Sequence, residues 1–203
     1  MATIGERVKY AIDHMGRNEI YAALEHACNA VDVTSQRRFE STKSGRKIFK
    51  DLIEEYHWLV EFMSIGGINL DETVFENFPI TEAVKKPIEK PKFYDLMYHV
   101  VRCGLIHSDS LEKGFSFHKE NTILLADREI TFPASVVWGL LAIVVFCPEN
   151  REEETAPGYW IGFHENRLVI NDFWGNEDIA RHLAGRYPIP RVTLKNLKFD
   201  EDA

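Results

Sequence analysis

Apolar residues recur along this chain at spacings of three and four in several long stretches, and at alternate positions in a few short ones. The most informative stretch is Phe93–Leu111, FYDLMYHVVRCGLIHSDSL. Phe93, Leu96, Met97, Val100, Val101, Gly104 and Leu105 fall on one face of a 3.6-residue period. Pro91 stands just ahead, where a helix can begin but not continue. Ser108, Asp109 and Ser110 follow His107 and favour caps and turns over further helix. The pattern predicts a helix over 93–108 with His107 in its last turn, where the helix dipole favours an imidazolium. Gly104 costs such a helix about 1 kcal/mol relative to alanine, so it predicts the close approach of another backbone.

The same period predicts further helices. In Glu19–Phe39, Ile20, Leu24, Ala27, Cys28 and Val31 line one face, with Asn18 as the N-cap and Glu19 in the first turn. Lys47–Ser64 carries Ile48, Leu52, Ile53, Tyr56, Leu59, Val60 and Met63 at helical spacing and is ended by Gly66-Gly67. Ala134–Phe146 is apolar on nearly every face, with Pro133 at its start and Pro148 after it, and predicts a buried helix over 134–147. Residues 5–15 form a short amphipathic helix, and Asn176–Arg186 another. Gly114–His118, Thr122–Leu125 and Glu129–Phe132 read as an antiparallel hairpin or meander, and Tyr159–Phe163 with Arg167–Asn171 as a second hairpin. Val192–Leu194 adds one more strand. Residues 68–92 are a long connection holding Pro79, Pro87 and Pro91. The architecture expected is mainly α, in the α+β class. A four- or five-helix bundle over residues 1–150 carries a hairpin insertion near 114–132, and a small β/α extension over 151–203 packs on it.

Composition narrows this picture. The 203 residues, 45% of them hydrophobic, suffice for one domain with a real core. The first residues, MATIGERVKY, are charged and lack the apolar run of a signal peptide, and the longest apolar run, Val136–Cys147, is too short for a membrane span. A soluble cytoplasmic protein without membrane partners is expected. Cys28, Cys103 and Cys147 make no CxxC pair, and the eight histidines show no HxxxH or HxH spacing, so neither a disulfide framework nor a bound metal or other cofactor is expected. A net charge of −8 argues against a nonspecific nucleic-acid binder. Two local basic stretches remain: Gln36–Lys50, with Arg37, Arg38, Lys43, Arg46, Lys47 and Lys50, and Lys85–Lys92, with Lys85, Lys86, Lys90 and Lys92. Each reads at least as well as a solvated connection between helices.

The candidate chemistry lies in Arg102 and His107. A histidine can move a proton near neutral pH, and an arginine can hold two phosphate oxygens with its planar fork. Together they suit cleavage of RNA by its own 2′-hydroxyl, which demands no metal. Residues five apart on an α-helix point about 140° from each other. A second copy of the helix would supply the missing groups, which predicts a homodimer. His99, Cys103, Ser108, Asp109 and Glu25 are candidate supporting residues. Asp32, Glu25 or Glu54 could instead hold Arg102 in an ion pair, and His107 could serve as a plain C-terminal cap.

With its helices placed, the segment Arg102-Cys-Gly-Leu-Ile-His107 resembles the signature of the HEPN family, the higher-eukaryote and prokaryote nucleotide-binding domains. That signature is an arginine, four to six residues, then a histidine near the end of a late helix. Ala23–Thr34, ALEHACNAVDVT, is similar to the early helix of such bundles. The resemblance covers residues 15–147. It implies a HEPN-like helical bundle and a metal-independent endoribonuclease of the toxin or defence type. It also implies a homodimer with a shared cleft, an RNA substrate, an antitoxin or regulatory protein as partner, and Arg102 and His107 as the catalytic pair. Cys103 departs from the polar residue that often follows the family's arginine. Asp109 stands where a subgroup carries a modified tyrosine. Two further readings stand beside this one: a catalytically silent HEPN-like dimer that binds nucleotide or protein, and a structural or regulatory protein in which the motif arose by chance.

Overall fold

The computed structural model describes residues 2–76, 78–81, 84–107, 111, 113–126, 128–163, 166–187 and 191–194, the side chains of Ile106, His107, Phe163 and Asn166 excepted. The chain is mainly α, with two small sheets. Helix α1 (Ile4–Gly16) starts on a capping box: Thr3 Oγ1 accepts from the Glu6 N–H at 3.1 Å and the Glu6 carboxylate accepts from the Thr3 N–H at 2.8 Å. It buries Ile4, Val8 and Ala11 against α2 (Ile20–Arg38). Asn18 does not cap α2 as the sequence predicts. It takes φ +62° in the turn between the helices, and Glu19 occupies the cap position without a capping side chain. Helix α2 is central and buries Ala23, Leu24, Ala27, Cys28, Ala30, Val31 and Thr34.

The single helix expected over Lys47–Ser64 is two, α3 (Arg46–Glu55) and α4 (His57–Met63). They break at Tyr56, whose φ −104° and ψ 17° leave the helical region. Tyr56 is fully buried and its hydroxyl donates to Glu177 at 2.7 Å, a tie outside the helix that no local pattern encodes. The central helix runs to His107 as three joined pieces: α5 (Phe93–Asp95), a π-helical segment (Leu96–Cys103) and α6 (Gly104–His107). The Asp95 carboxylate accepts the Lys92 N–H at 3.0 Å and so starts the helix. A close helix crossing lies at Gly139 of α7 (Val136–Phe146), where an added Cβ would lie 2.7 Å from Ser64 Oγ and 3.1 Å from Val60 Cα.

The insertion is a three-stranded sheet in the order β1-β3-β2, built from β1 (Phe115–His118), β2 (Leu124–Ala126) and β3 (Glu129–Pro133). Strand β2 pairs with β3 antiparallel, but β1 pairs with β3 parallel, which corrects the expected all-antiparallel meander. Strand β3 takes the middle because its Ile130 and Phe132 are buried, Phe132 against Phe75, Phe93 and Phe117 at 5.8–6.0 Å between ring centres. Gly114, at φ +84°, admits Arg128 O where a Cβ would sit at 2.4 Å. Pro133 closes β3 and does not open α7, whose N-cap is Ser135.

Beyond residue 150, β4 (Trp160–Phe163) and β5 (Asn166–Val169) form the expected hairpin, with Trp160 opposite Val169. Helix α8 (Glu177–Arg186) is capped by Asn176, whose Oδ1 accepts from Ile179 N at 3.2 Å. Ile161, Ile170, Trp174 and Ala180 join the same apolar core as the bundle. Val192 makes one isolated parallel bridge to Ile68 in place of the strand expected at 192–194. Among the described residues no helix is long and apolar enough to cross a membrane.

Candidate functional site

Arg102 lies in the last turn of the π-helical segment and reaches toward α2. Its Nη2 donates to Asp32 Oδ2 at 3.2 Å and to Ser44 Oγ at 3.1 Å. The Ser44 hydroxyl donates in turn between the two oxygens of Asp32, at 2.8 and 2.7 Å. The side chains of Arg102 and Asp32 are only 13% and 10% exposed, so the pair is largely shielded from water. The guanidinium stacks over Tyr98, 5.2 Å from its ring centre. Burial pulls the Arg102 pKa down, but the Asp32 carboxylate outweighs it and the net shift is upward. The arginine is therefore held charged, and its Nε is buried without a partner among the described residues.

Of the three carboxylates expected to meet this arginine, Asp32 is the one that does. Glu25 and Glu54 are exposed on α2 and α3. Cys28 lies one turn before Asp32 and is fully buried, with its thiol pushed up to about 12 by burial against the pull of the Arg102 charge. His107 is the last residue of α6; its side chain, and Ser108 and Asp109 entirely, lie outside the described residues.

Tyr98, His99 and Cys103 of the π-helical segment line a cleft of about 690 Å³. His99 is buried and meets Tyr98 edge-on at 5.0 Å. The remaining wall brings together Arg46, Lys85 and Lys86 with the apolar Val84 and Ile88. Arg46 begins α3. The two lysines lie on a segment fixed by the mutual backbone hydrogen bonds of Ile80 and Ile88, at 3.1 and 3.0 Å. These residues come from the two basic stretches noted in the sequence. Most other cations there are already satisfied. Arg37 donates to Asn150 and Glu153, Arg38 to Glu55 and Glu149, Lys47 to Asp51, Lys50 to Asp95, and Lys90 to Glu76. Arg46, Lys85 and Lys86 have no carboxylate partner among the described residues, and all three are exposed. The charge runs signalled this site in the sequence; their convergence required the tertiary structure.

Such a wall can hold an anion through one guanidinium fork and two ammonium groups. Among the described residues no three His, Cys, Asp or Glu side chains converge to hold a metal ion.

Comparison with known proteins places the whole chain in one lineage. It is 28% identical over 205 residues to "Uncharacterized protein Rv1289" of Mycobacterium tuberculosis (strain ATCC 25618 / H37Rv), an alignment that covers 98% of this chain and 94% of the relative. The same figures hold for "Uncharacterized protein Mb1320" of Mycobacterium bovis (strain ATCC BAA-935 / AF2122/97). No solved structure matches the chain. The family model Rv1289 matches residues 3–200, both sheets and every helix described above included, and the chain belongs to that family.

Proposed function

We propose that this chain is a HEPN-like helical module that binds single-stranded RNA through its phosphates at the cleft between α3, residues 84–88 and the π-helical segment. The observation that carries this reading is the convergence of Arg46, Lys85 and Lys86, none with a carboxylate partner among the described residues, on one cleft of a chain whose net charge is −8. On such a chain an unpaired cationic cluster focuses the field on one place. The resemblance of Arg102–His107 to the HEPN signature favours RNA over DNA. Arg102 itself is a positioning residue here: its ion pair with Asp32 fixes the helix that forms the cleft wall.

The test is fluorescence anisotropy with a short labelled single-stranded RNA at stepped salt concentrations. Three phosphate contacts give a slope of log K against log salt of about −2. Arg46→Glu, Lys85→Glu and Lys86→Glu together abolish binding with an unchanged circular dichroism spectrum, because all three residues are exposed. Equal binding by wild type and the triple variant overturns the reading.

A ribonuclease is the second reading. It is favoured by a guanidinium held rigidly on the same helical run that ends at His107. The RNA 2′-oxygen would attack phosphorus, the P–O5′ bond would break, and His107 would carry the proton from the 2′-hydroxyl to the leaving 5′-oxygen. A symmetric dimer would supply a second Arg102 and His107 to the shared cleft. His107→Ala then lowers cleavage about 10²–10⁴-fold, and the products bear 2′,3′-cyclic phosphates. RNA that binds but stays intact leaves the binding module standing and removes the nuclease.

A further inference from the structure

Two further cavities lie apart from the basic cleft, where α1 and α7 meet the β4–β5 hairpin. One, of about 570 Å³, is lined by Ile12, Trp138, Pro157, Tyr159 and Trp160 and carries no charged side chain. The other, of about 870 Å³, is lined by Asn18, Lys119, Asn121 and Ser135 among others. The two share Met15, Trp138 and Gly162, so they form one groove with an aromatic end and a polar end. Lys119 has no carboxylate partner, and the Asn18 and Asn121 side chains no hydrogen-bond partner, among the described residues. The wall is bare at Gly16, where an added Cβ would meet nothing within 4 Å.

We propose that this groove binds a small aromatic acid, with its flat ring between Trp138 and the aromatic side chains Tyr159 and Trp160 and its anionic group at Lys119. Each cavity falls within the range of roughly 300–1,000 Å³ usual for small-molecule sites. The apolar lining takes a ring and rejects a charge, which it could not solvate. A cationic ligand is disfavoured on the same grounds and on a second one. The Tyr159 ring already has Lys9 Nζ at 5.5 Å, and the Trp160 ring has Arg167 Cζ at 4.5 Å. The three unspent polar side chains at the other end supply one positive charge and amide donors for an acid group.

The probe is anilinonaphthalene sulfonate, a flat aromatic anion that fluoresces when removed from water. Added to the full-length protein, it saturates at one molecule per chain. Gly16→Phe grows a ring into the aromatic end without a backbone clash and abolishes the signal. Lys119→Glu weakens binding by about tenfold or more, the loss of one charge-assisted contact. The triple variant of the basic cleft binds the probe as wild type does, which separates this site from the RNA-binding reading. Displacement by adenosine monophosphate identifies a nucleotide as the acid, and displacement by indole acetate an aromatic carboxylate. Unchanged probe binding in both Gly16→Phe and Lys119→Glu overturns the proposal, as does equal displacement by uncharged indole or by tetramethylammonium.

Discussion

Asp32 accepts from both Arg102 and Ser44 with only a tenth of its side chain exposed, so removing it strips two donors of their acceptor at once. Hydrogen bonds to a charged group contribute about 1.5–3 kcal/mol, and Asp32→Ala is expected to lower stability by about that much. Asp32→Asn, which keeps an acceptor for Ser44 but loses the charge, should fall between. Urea unfolding midpoints measure both. A midpoint unchanged in Asp32→Ala would mean that the cluster does not tie α2 to the central helix. His26 makes a different residue-scale prediction. It stacks on His14, with ring centres 5.3 Å apart and planes 14° from parallel, and its Nδ1 is buried without a partner among the described residues. Burial first, and the neighbouring His14 charge second, hold its pKa below the usual histidine value, while Glu25 pulls the other way and Arg7 adds to the depression. The folded state therefore refuses a proton that the unfolded chain accepts below about pH 6.5. Stability falls as pH drops through that value toward the folded pKa. Asp13, Glu19 and Glu149, whose pKa values are also depressed, add stability above the usual carboxylate range and lose it only in more acid solution. The fall between pH 7 and pH 5.5 thus lies above the range in which these carboxylates act. His26→Phe, which keeps a ring in the stack, should flatten the unfolding free energy over that interval; an equally steep fall in the variant would assign the effect elsewhere.

At the scale of elements, the α4–α7 crossing depends on a missing side chain. A Cβ at Gly139 would press on Val60 Cγ1 at 3.0 Å as well as on Val60 Cα and Ser64 Oγ, and the backbone atom cannot swing aside. Gly139→Ala should cost about 1–3 kcal/mol by overpacking, a drop visible as a lower thermal midpoint. An unchanged midpoint would mean that α4 can move out at no cost. The sequence singled out Gly104 for a close approach and gave no sign of Gly139, because a glycine inside a wholly apolar run such as α7 looks the same whichever neighbour needs it. Other elements were more legible. The stripes of α2 and the wholly apolar α7 could be read directly, since a helix that buries Ala23, Leu24, Ala27, Cys28 and Val31 must show them at helical spacing. The π-helical segment could not be read, because eight residues are too few to separate its period from 3.6. Alternation marked β1 and β3 as strands without saying that they run parallel, since pairing is a property of two strands and a sequence pattern describes one. The site divides in the same way. Arg102 and a short set of acidic partners that included Asp32 were visible, but the contact spans 70 residues, and only packing decides between Asp32 and Glu25. The basic cleft joins two charge runs whose lysines and arginines looked alike; carboxylates supplied by distant segments, such as Glu149 and Glu153, determine which of them stay unpaired.

At the scale of the whole molecule, the residues after 150 are bound to the bundle by contacts that neither part can replace alone. Phe173 packs on Phe146 with ring centres 6.1 Å apart, and the Gly175 N–H donates to Val145 O at 2.8 Å at the end of α7. Glu177 accepts from the fully buried Tyr56. Arg191 pairs with Glu61 at 2.9 Å, and Glu61 also accepts the Leu70 N–H, so this arginine holds a carboxylate that is only 9% exposed. The Leu194 N–H reaches Thr73 Oγ1 at 3.2 Å. A chain cut after residue 150 would leave Phe146, Tyr56 and Glu61 without these partners, a buried hydroxyl and a nearly buried charge among them, and such groups are costly when unsatisfied. The prediction is one cooperative transition for the full chain. Far-ultraviolet circular dichroism reports mainly the helices, and tryptophan fluorescence reports Trp160 and Trp174 in the extension together with Trp58 and Trp138 in the bundle. Both signals should give the same urea midpoint. Residues 1–150 expressed alone should be markedly less stable than the full chain and should bind a hydrophobic dye at the exposed end of α7. Two separated midpoints in the full chain, together with a native-like transition for residues 1–150, would show two independent folding units and would remove the physical reason for treating the bundle and its extension as one core.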